Sequence, residues 1–141
     1  MVVHEDRETF LQEPQIAVLA TLGPNGQPHA APIWYLYEDG VFIMLTGITS
    51  QKARDIEREP KVTLVVDRRT LPYYAVMIQG RAELGPTPSE DVRLRLAIRY
   101  LGETMGRAYV GRGSAEGSRT IRLTPARVIE YGGTAGRPEA S

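Results

Sequence analysis

Short apolar runs separated by turn-forming residues dominate the chain. They occupy Ile16–Leu22, Pro28–Tyr37, Val41–Thr46, Val62–Asp67 and Tyr73–Leu84. The first two flank Gly23-Pro24-Asn25-Gly26, whose Asn-Gly pair tolerates the positive φ that a tight hairpin turn requires. Two later runs, Ile121–Leu123 and Arg127–Tyr131, flank Thr124-Pro125-Ala126 and predict a final hairpin. The pattern therefore predicts a series of β-strands joined by tight turns.

Helical patterns interrupt this series. A short opening helix is predicted over residues 5–13 and stops at Pro14, and another over 50–59 stops at Pro60. In both segments the proline marks the end, because it cannot continue a helix.

A third helix is predicted after Thr87-Pro88-Ser89-Glu90, which has the pattern of a capping box with proline at the first helical position. Its apolar residues recur at the spacing of one buried stripe: Leu94, Ala97, Ile98 and Leu101. Arg93, Arg95 and Arg99 lie off that stripe. The glycine-rich segment 102–117 allows a second short helix followed by a loop.

Short strands with inserted helices predict a mostly β fold, namely a small, mainly antiparallel barrel with helical decorations. At 141 residues the chain is long enough for one domain with its own core. We expect that domain over residues 1–131 and a disordered tail over 132–141.

Composition excludes several classes of function. The net charge is zero, so no overall field attracts nucleic acid or an anionic membrane. The absence of cysteine excludes disulfides, thiolate metal sites and cysteine nucleophiles. His4 and His29 have no partners at metal-ligand spacing, and no apolar run resembles a signal peptide or a membrane span. These features predict a cytoplasmic protein without a metal.

The segment from Thr46 to Arg54 is the strongest candidate for ligand binding. A predicted strand ends at Thr46, and a helix begins near Ser50 with Lys52 in its first turn. The first turn of a helix has unpaired N–H groups and the positive end of the helix dipole, which attract anions. Together with the hydroxyls and cations, it predicts a phosphate-binding site. The alternative is an ordinary helix cap followed by a solvated lysine.

Several short stretches, in this order, carry a resemblance to a known family: Ala20-Thr21-Leu22 with Gly26-Gln27-Pro28-His29, Pro32-Ile33-Trp34-Tyr35, Thr46 with Ser50-Gln51-Lys52-Ala53-Arg54 and Glu59-Pro60-Lys61-Val62, and Gly80-Arg81-Ala82. They resemble the split-barrel flavin-binding superfamily that includes pyridoxamine 5′-phosphate oxidases. The likeness is greatest to its short bacterial branch of FMN- or deazaflavin-dependent reductases. The resemblance implies a split β-barrel that forms a homodimer, with the cofactor groove at the dimer interface.

With this resemblance, the candidate cofactor-binding residues are Pro32, Ile33, Trp34, Thr46, Ser50, Gln51, Lys52 and Arg54. The first three match a strand that lies along the flavin ring, whereas Thr46, Ser50 and Lys52 match phosphate-binding positions. The resemblance assigns no catalytic residue, since the cofactor itself performs the hydride chemistry.

Two positions depart from the family pattern. Gln51 stands where the FMN oxidases commonly have arginine, so a potentially bidentate phosphate contact is missing. Asp55 is expected to put a negative charge near the same site. Other interpretations stay open for two residues: Arg54 as part of a charged outer face, and Trp34 as core or dimer-interface packing.

These observations predict an oxidoreductase that transfers a hydride between F420H2 or FMN and a small organic substrate. The missing arginine argues against a true pyridoxamine phosphate oxidase. The preference for arginine over lysine is typical of GC-rich genomes, where F420-making lineages are common, and it favours F420 slightly. The alternative is a flavin- or haem-binding carrier of the same fold without redox turnover.

Overall fold

A computed structural model describes residues 6–132 of the chain. The strands are β1 (Ala17–Leu22), β2 (Pro28–Ile33), β3 (Leu36–Glu38), β4 (Val41–Gly47), β5 (Lys61–Arg68), β6 (Tyr74–Leu84) and β7 (Ser118–Gly132). The helices are α1 (Arg7–Gln12), α2 (Gln51–Arg58), α3 (Glu90–Leu101) and α4 (Glu103–Arg112). The predicted tail lies outside the described residues, apart from Gly132, which is the last residue of β7.

The strands form one seven-stranded antiparallel sheet that curls into a barrel. Its order is β2-β1-β5-β6-β7-β4-β3, so β2 and β3 are the two edges. These edge strands are nevertheless joined by Trp34 and Tyr35 alone. Such a link spans about 10 Å at most, so the end of β2 and the start of β3 must lie close together, and the sheet curls to bring them there. The predicted split barrel is confirmed.

The single strand predicted over Pro28–Tyr37 is wrong, since it contains this crossing between the two edges. Its first part pairs with β1, and its last part pairs with β4. The chain leaves the sheet at Trp34 and Tyr35 because no pairing partner continues past the edge of the barrel.

The predicted C-terminal hairpin is also wrong. β7 is one strand of 15 residues that pairs with β6, and its first part also pairs with β4. Pro125 is accommodated by a register shift between Gln79 and Gly80 rather than by a turn. A Cβ at Gly80 would lie 2.2 Å from the carbonyl oxygen of Thr124, so the close approach requires glycine.

Alternate strand residues fill the barrel with apolar side chains. The largest fully buried ones include Leu19, Tyr35, Phe42, Met44, Leu64, Ile78, Ile121 and Leu123. Phe10 and Leu11 of α1 join the same core. This interior supports the surface on which the candidate site is built.

The helices α3 and α4 form an antiparallel pair beside the barrel. A Cβ at Gly106 would lie 2.7 Å from the backbone nitrogen of Ile98, so the helices pack closely. Leu96 and Ala97 are fully buried, whereas Ile98 and the other predicted stripe residues are half-buried. The single-stripe prediction is therefore wrong in part, because Leu96 lies off that stripe and is buried where α3 faces the barrel.

The start of α3 differs from the predicted capping box. Ser89 is the N-cap, and its hydroxyl oxygen accepts a hydrogen bond from the backbone N–H of Val92 at 3.2 Å. Thr87 and Pro88 precede the helix. The N-cap is therefore Ser89 rather than the predicted Thr87, because the Ser89 side chain bonds a backbone N–H of the first turn.

Candidate functional site

The turn from β4 into α2 holds the residues that are predicted to bind phosphate, Thr46, Ser50 and Lys52, and this group is called the seat. Ser50 caps α2, and its oxygen accepts from the backbone N–H of Ala53 at 3.1 Å. The buried hydroxyl of Thr46 lies 2.6 Å from that of Ser50. One hydrogen bond between two hydroxyls uses one of their two protons. The other proton remains available to a ligand.

Lys52 lies in the first turn of α2 and is half-buried. Within residues 6–132, no hydrogen bond or ion pair engages its ammonium group. The same turn contains no acidic side chain. The seat therefore combines an uncompensated cation with the positive end of a helix, which favours an anion.

Gln51 and Asp55 take part in a buried network behind the seat. The carboxylate of Asp55 accepts hydrogen bonds from Thr21 at 2.7 Å, from Gln51 at 2.7 Å and from Arg58 at 3.3 Å. Burial raises the pKa of Asp55, but the hydrogen bonds from Thr21 and Gln51 and the cation of Arg58 together hold it below its usual value. Asp55 does lie near the seat, since it bonds Gln51, but its fully buried carboxylate faces Thr21 of β1 and is paired with Arg58.

Arg54 is held beside the seat by neighbours on its own helix and turn. Its guanidinium donates to the carbonyl oxygen of Thr49 and to the side-chain oxygen of Gln51, each at 2.8 Å. Gln51 thus bridges Asp55 and Arg54 through its two amide atoms. The neutral side chain of Gln51 therefore holds the guanidinium of Arg54 beside position 51.

A cleft of about 690 Å³ opens next to the seat, between the barrel and the α3–α4 pair. This volume falls within the usual range for small-molecule sites. Ile33, Trp34 and Thr46 line the cleft, so Thr46 belongs to both the seat and the cleft. Pro32 is exposed on β2 and is absent from the lining, as are Ser50, Gln51, Lys52 and Arg54.

Trp34 forms an aromatic wall of this cleft. Its ring stacks on Tyr100 at 4.9 Å with 9° between the planes, and Tyr109 lies tilted at 6.1 Å. The Tyr100 hydroxyl donates to the carbonyl oxygen of Gln15 at 2.8 Å and accepts from the backbone N–H of Tyr35 at 3.1 Å. These bonds fix the Tyr100 ring, which in turn supports Trp34.

Sequence reasoning missed the contribution of α3 and α4 to the cleft, chiefly Arg93, Tyr109 and Arg112. One signal in the sequence distinguishes these arginines from two of their neighbours. Arg95 and Arg107 each follow an acidic residue by four positions, whereas Arg93 and Arg112 do not. An acid at i,i+4 is a common helical partner of an arginine. Arg99 also follows no acid by four positions but donates to the backbone carbonyl oxygens of Gln12 and Glu13, so the spacing alone does not identify an unpaired arginine.

Other features of the described chain add no second centre. Between residues 6 and 132, no group of three or more histidine, aspartate or glutamate side chains is arranged to hold a metal ion. No helix in that range is long and apolar enough to cross a membrane.

Comparison with known proteins identifies related sequences. The family profile of pyridoxamine 5′-phosphate oxidase matches residues 3–132. The pyridoxine/pyridoxamine 5′-phosphate oxidase of Escherichia fergusonii is 35% identical over 77 residues, which are 54% of this chain and 35% of that enzyme. The chain thus spans less than half the length of the curated relatives it matches.

Solved structures share the fold. An F420 reductase superimposes with a TM-score of 0.75 at 27% identity, covering 89% of this chain and 98% of that one. HutZ, the haem storage protein of Vibrio cholerae, superimposes with a TM-score of 0.67 at 17% identity, covering 89% and 91% of the two chains. The HutZ likeness shows the fold alone. The curled antiparallel sheet and the profile match over residues 3–132 together show that this chain belongs to the pyridoxamine 5′-phosphate oxidase family of split-barrel proteins.

Proposed function

We propose that this protein is an oxidoreductase that transfers a hydride between F420H2 or FMN and a small organic substrate. The observation that carries the proposal is the seat, where Lys52 has no partner in the described chain and Thr46 leads directly into the cleft. Family membership and the likeness to an F420 reductase support the proposal.

The seat suits the phosphate that both cofactors carry. Lys52 supplies the charge, the Thr46–Ser50 pair supplies one hydroxyl proton, and the first turn of α2 supplies backbone N–H groups. Arg54, held by Gln51, adds a second cation at the rim of the seat.

The cleft suits a planar ring system. We propose that Pro32, Ile33 and Trp34 lie along the ring of the cofactor, since β2 ends at the cleft wall. When bound, either cofactor supplies the hydride chemistry at its ring. The protein holds the ring and the substrate in reacting geometry and keeps water away from them.

Two observations favour F420 slightly over FMN. Gln51 leaves out a charge-assisted contact that the FMN oxidases commonly have, and the F420 reductase is 27% identical to this chain with a TM-score of 0.75. We further propose that the protein is a cytoplasmic homodimer with one domain over residues 1–131. Its partners are the cofactor and a small substrate, and it binds neither nucleic acid nor a membrane.

The test is a binding comparison on the wild-type protein. FMN and F420 are titrated separately, and the protein is then supplied with F420H2 and an electron acceptor. We expect binding of at least one cofactor and oxidation of the reduced form. Binding of neither cofactor would refute the proposal. Binding without turnover would favour a cofactor carrier, and a Soret band on addition of haem would favour the haem-binding alternative.

A further inference from the structure

Two arginines of the cleft lack acidic partners. Arg93 on α3 and Arg112 in the last turn of α4 both line the cleft, and neither side chain forms an ion pair or hydrogen bond with residues 6–132. Nearby helical arginines behave differently, since Arg95 bonds Asp91 at 2.9 Å and Arg107 bonds Glu103 at 2.6 Å. The two unpaired cations therefore depart from the pattern of their own helices.

The guanidinium of Arg93 reaches the end of α4. One of its terminal nitrogens lies 3.2 Å from the position that a Cβ at residue 113 would occupy. Gly113 directly follows Arg112, so the Arg93 guanidinium lies beside the end of α4 that carries Arg112, and both residues line the cleft. No aspartate or glutamate among residues 6–132 lines the cleft. Glu90 borders a neighbouring pocket with Arg93, but the two form no ion pair within 4 Å.

Two positive charges at one end of a cleft repel each other unless an anion lies between them. The C-terminal end of α4 favours Arg112, but a helix dipole contributes little at an exposed position. A carboxylate offers more, because each guanidinium can hold it through charge-assisted and potentially bidentate hydrogen bonds. The serines at 114 and 118 add hydroxyl donors to the same lining.

Aromatic side chains form the rest of the cleft wall. Trp34 is half-buried, and Tyr109 is 55% exposed beside it. Leu96, Ala97 and Val110 provide an apolar floor. The apolar ring of a planar ligand can therefore pack against these aromatic side chains, while a charged group at its end reaches the arginines.

We propose that this cleft binds a planar, aromatic ligand through a carboxylate held by Arg93 and Arg112. The binding site stands on the geometry of the chain alone. Its interpretation as the substrate class rests on the proposed function, in which the cofactor phosphate lies in the seat and the cofactor ring lies along Ile33 and Trp34, so that the substrate shares the cleft with that ring.

The test uses two probes that differ only in charge, 2-naphthoate and its neutral amide 2-naphthamide, and measures their affinities by calorimetry without any cofactor. Two charge-assisted contacts should give the wild-type protein at least about tenfold tighter binding of the carboxylate. Arg112→Gln and Arg93→Gln should each remove most of this preference and leave the amide affinity unchanged. Arg122→Gln on the exposed part of β7 is the matched control and should keep the preference.

Equal affinity for the two probes, or binding of neither, would overturn the proposal. An equal loss in Arg122→Gln would also overturn it, because the effect would then come from overall charge. Melting temperatures of the variants check that each one folds. A protein that binds no cofactor but prefers the carboxylate would refute the proposed function and keep this inference.

The carboxylate has two possible sources, namely a substrate and the glutamate tail of F420. Titration of F420 and FMN into Arg112→Gln separates them, since FMN carries no glutamate. Weaker binding of F420 with unchanged binding of FMN identifies the tail as the ligand. Unchanged binding of both cofactors, with the probe preference lost, identifies a substrate carboxylate.

Discussion

Replacement of Lys52 by alanine is the most direct test of the seat. The substitution removes the ammonium group from the first turn of α2 and leaves the cap between Ser50 and Ala53 in place. Because Lys52 forms no ion pair or hydrogen bond within residues 6–132, its loss should leave the stability of the fold nearly unchanged. Any change in cofactor affinity would then report on the ligand contact itself.

The expected loss follows from the environment of Lys52. A hydrogen bond to a charged group contributes about 1.5–3 kcal/mol, which corresponds to roughly ten- to a hundredfold in affinity. Lys52 is half-buried and has no competing partner in the described chain, so a phosphate at this site would be poorly screened by water. The hydroxyl pair and the helix N–H groups remain, so binding should weaken without being lost.

The assay is a fluorescence titration of FMN and of F420 into the wild-type protein and into Lys52→Ala. Lys61→Ala is the matched control, because Lys61 is the other lysine and lies exposed at the start of β5, away from the seat. Unchanged affinity of Lys52→Ala for both cofactors would refute the phosphate assignment. An equal loss in Lys61→Ala would attribute the effect to overall charge.

Three further predictions concern the framework around the site. The pKa of Asp55 is lower in the folded protein than in the unfolded chain, where it is about 4. The ionised carboxylate therefore stabilises the fold at pH values above the unfolded pKa, and this contribution is lost as the pH falls through the folded pKa. Urea unfolding should therefore show a smaller loss on acidification for Asp55→Asn than for the wild type, and a pH dependence identical in both would contradict this. Gly80→Ala should destabilise the protein by about 1–3 kcal/mol because its Cβ would meet a carbonyl oxygen at 2.2 Å, whereas Gly111→Ala, with no atom within 4 Å of the new Cβ, should be neutral or stabilising. Tyr100→Phe removes hydrogen bonds between the hydroxyl and the backbone and should lower the free energy of unfolding in urea by about 1 kcal/mol. It should also shift the fluorescence of Trp34, which stacks on this ring. An unchanged spectrum would argue that this hydroxyl does not position the cleft wall.

Local patterns in the sequence predicted a helix end correctly when the contacts that fix that end lie within a few residues of it. The prolines that follow α1 and α2 and the serine that caps α2 are examples. Each acts on backbone hydrogen bonds between close neighbours in the chain. The same reasoning chose the wrong cap for α3, because Thr87 and Ser89 both fit the local pattern. Only the backbone path of the folded chain distinguished them.

The candidate site was predicted in part. Thr46 and Ser50 lie together as expected because strand, turn and helix are continuous in the chain. The roles of Gln51 and Asp55 were not predictable, because their orientation depends on Thr21 of a distant strand. Pairing across the barrel decides which face of α2 is buried, and the helix pattern alone does not contain that information.

The sequence by itself determined the strand and turn alternation, the hydroxyls and the lysine at the start of α2, and the family resemblance, since each depends on residue types at short spacing. Tertiary structure decided the crossing at Trp34 and Tyr35, the continuous β7, and the cleft that brings Arg93 and Arg112 together. Sheet closure and helix packing join residues far apart in the chain. Which distant side chains meet is settled by the packing of the whole barrel rather than by any local pattern.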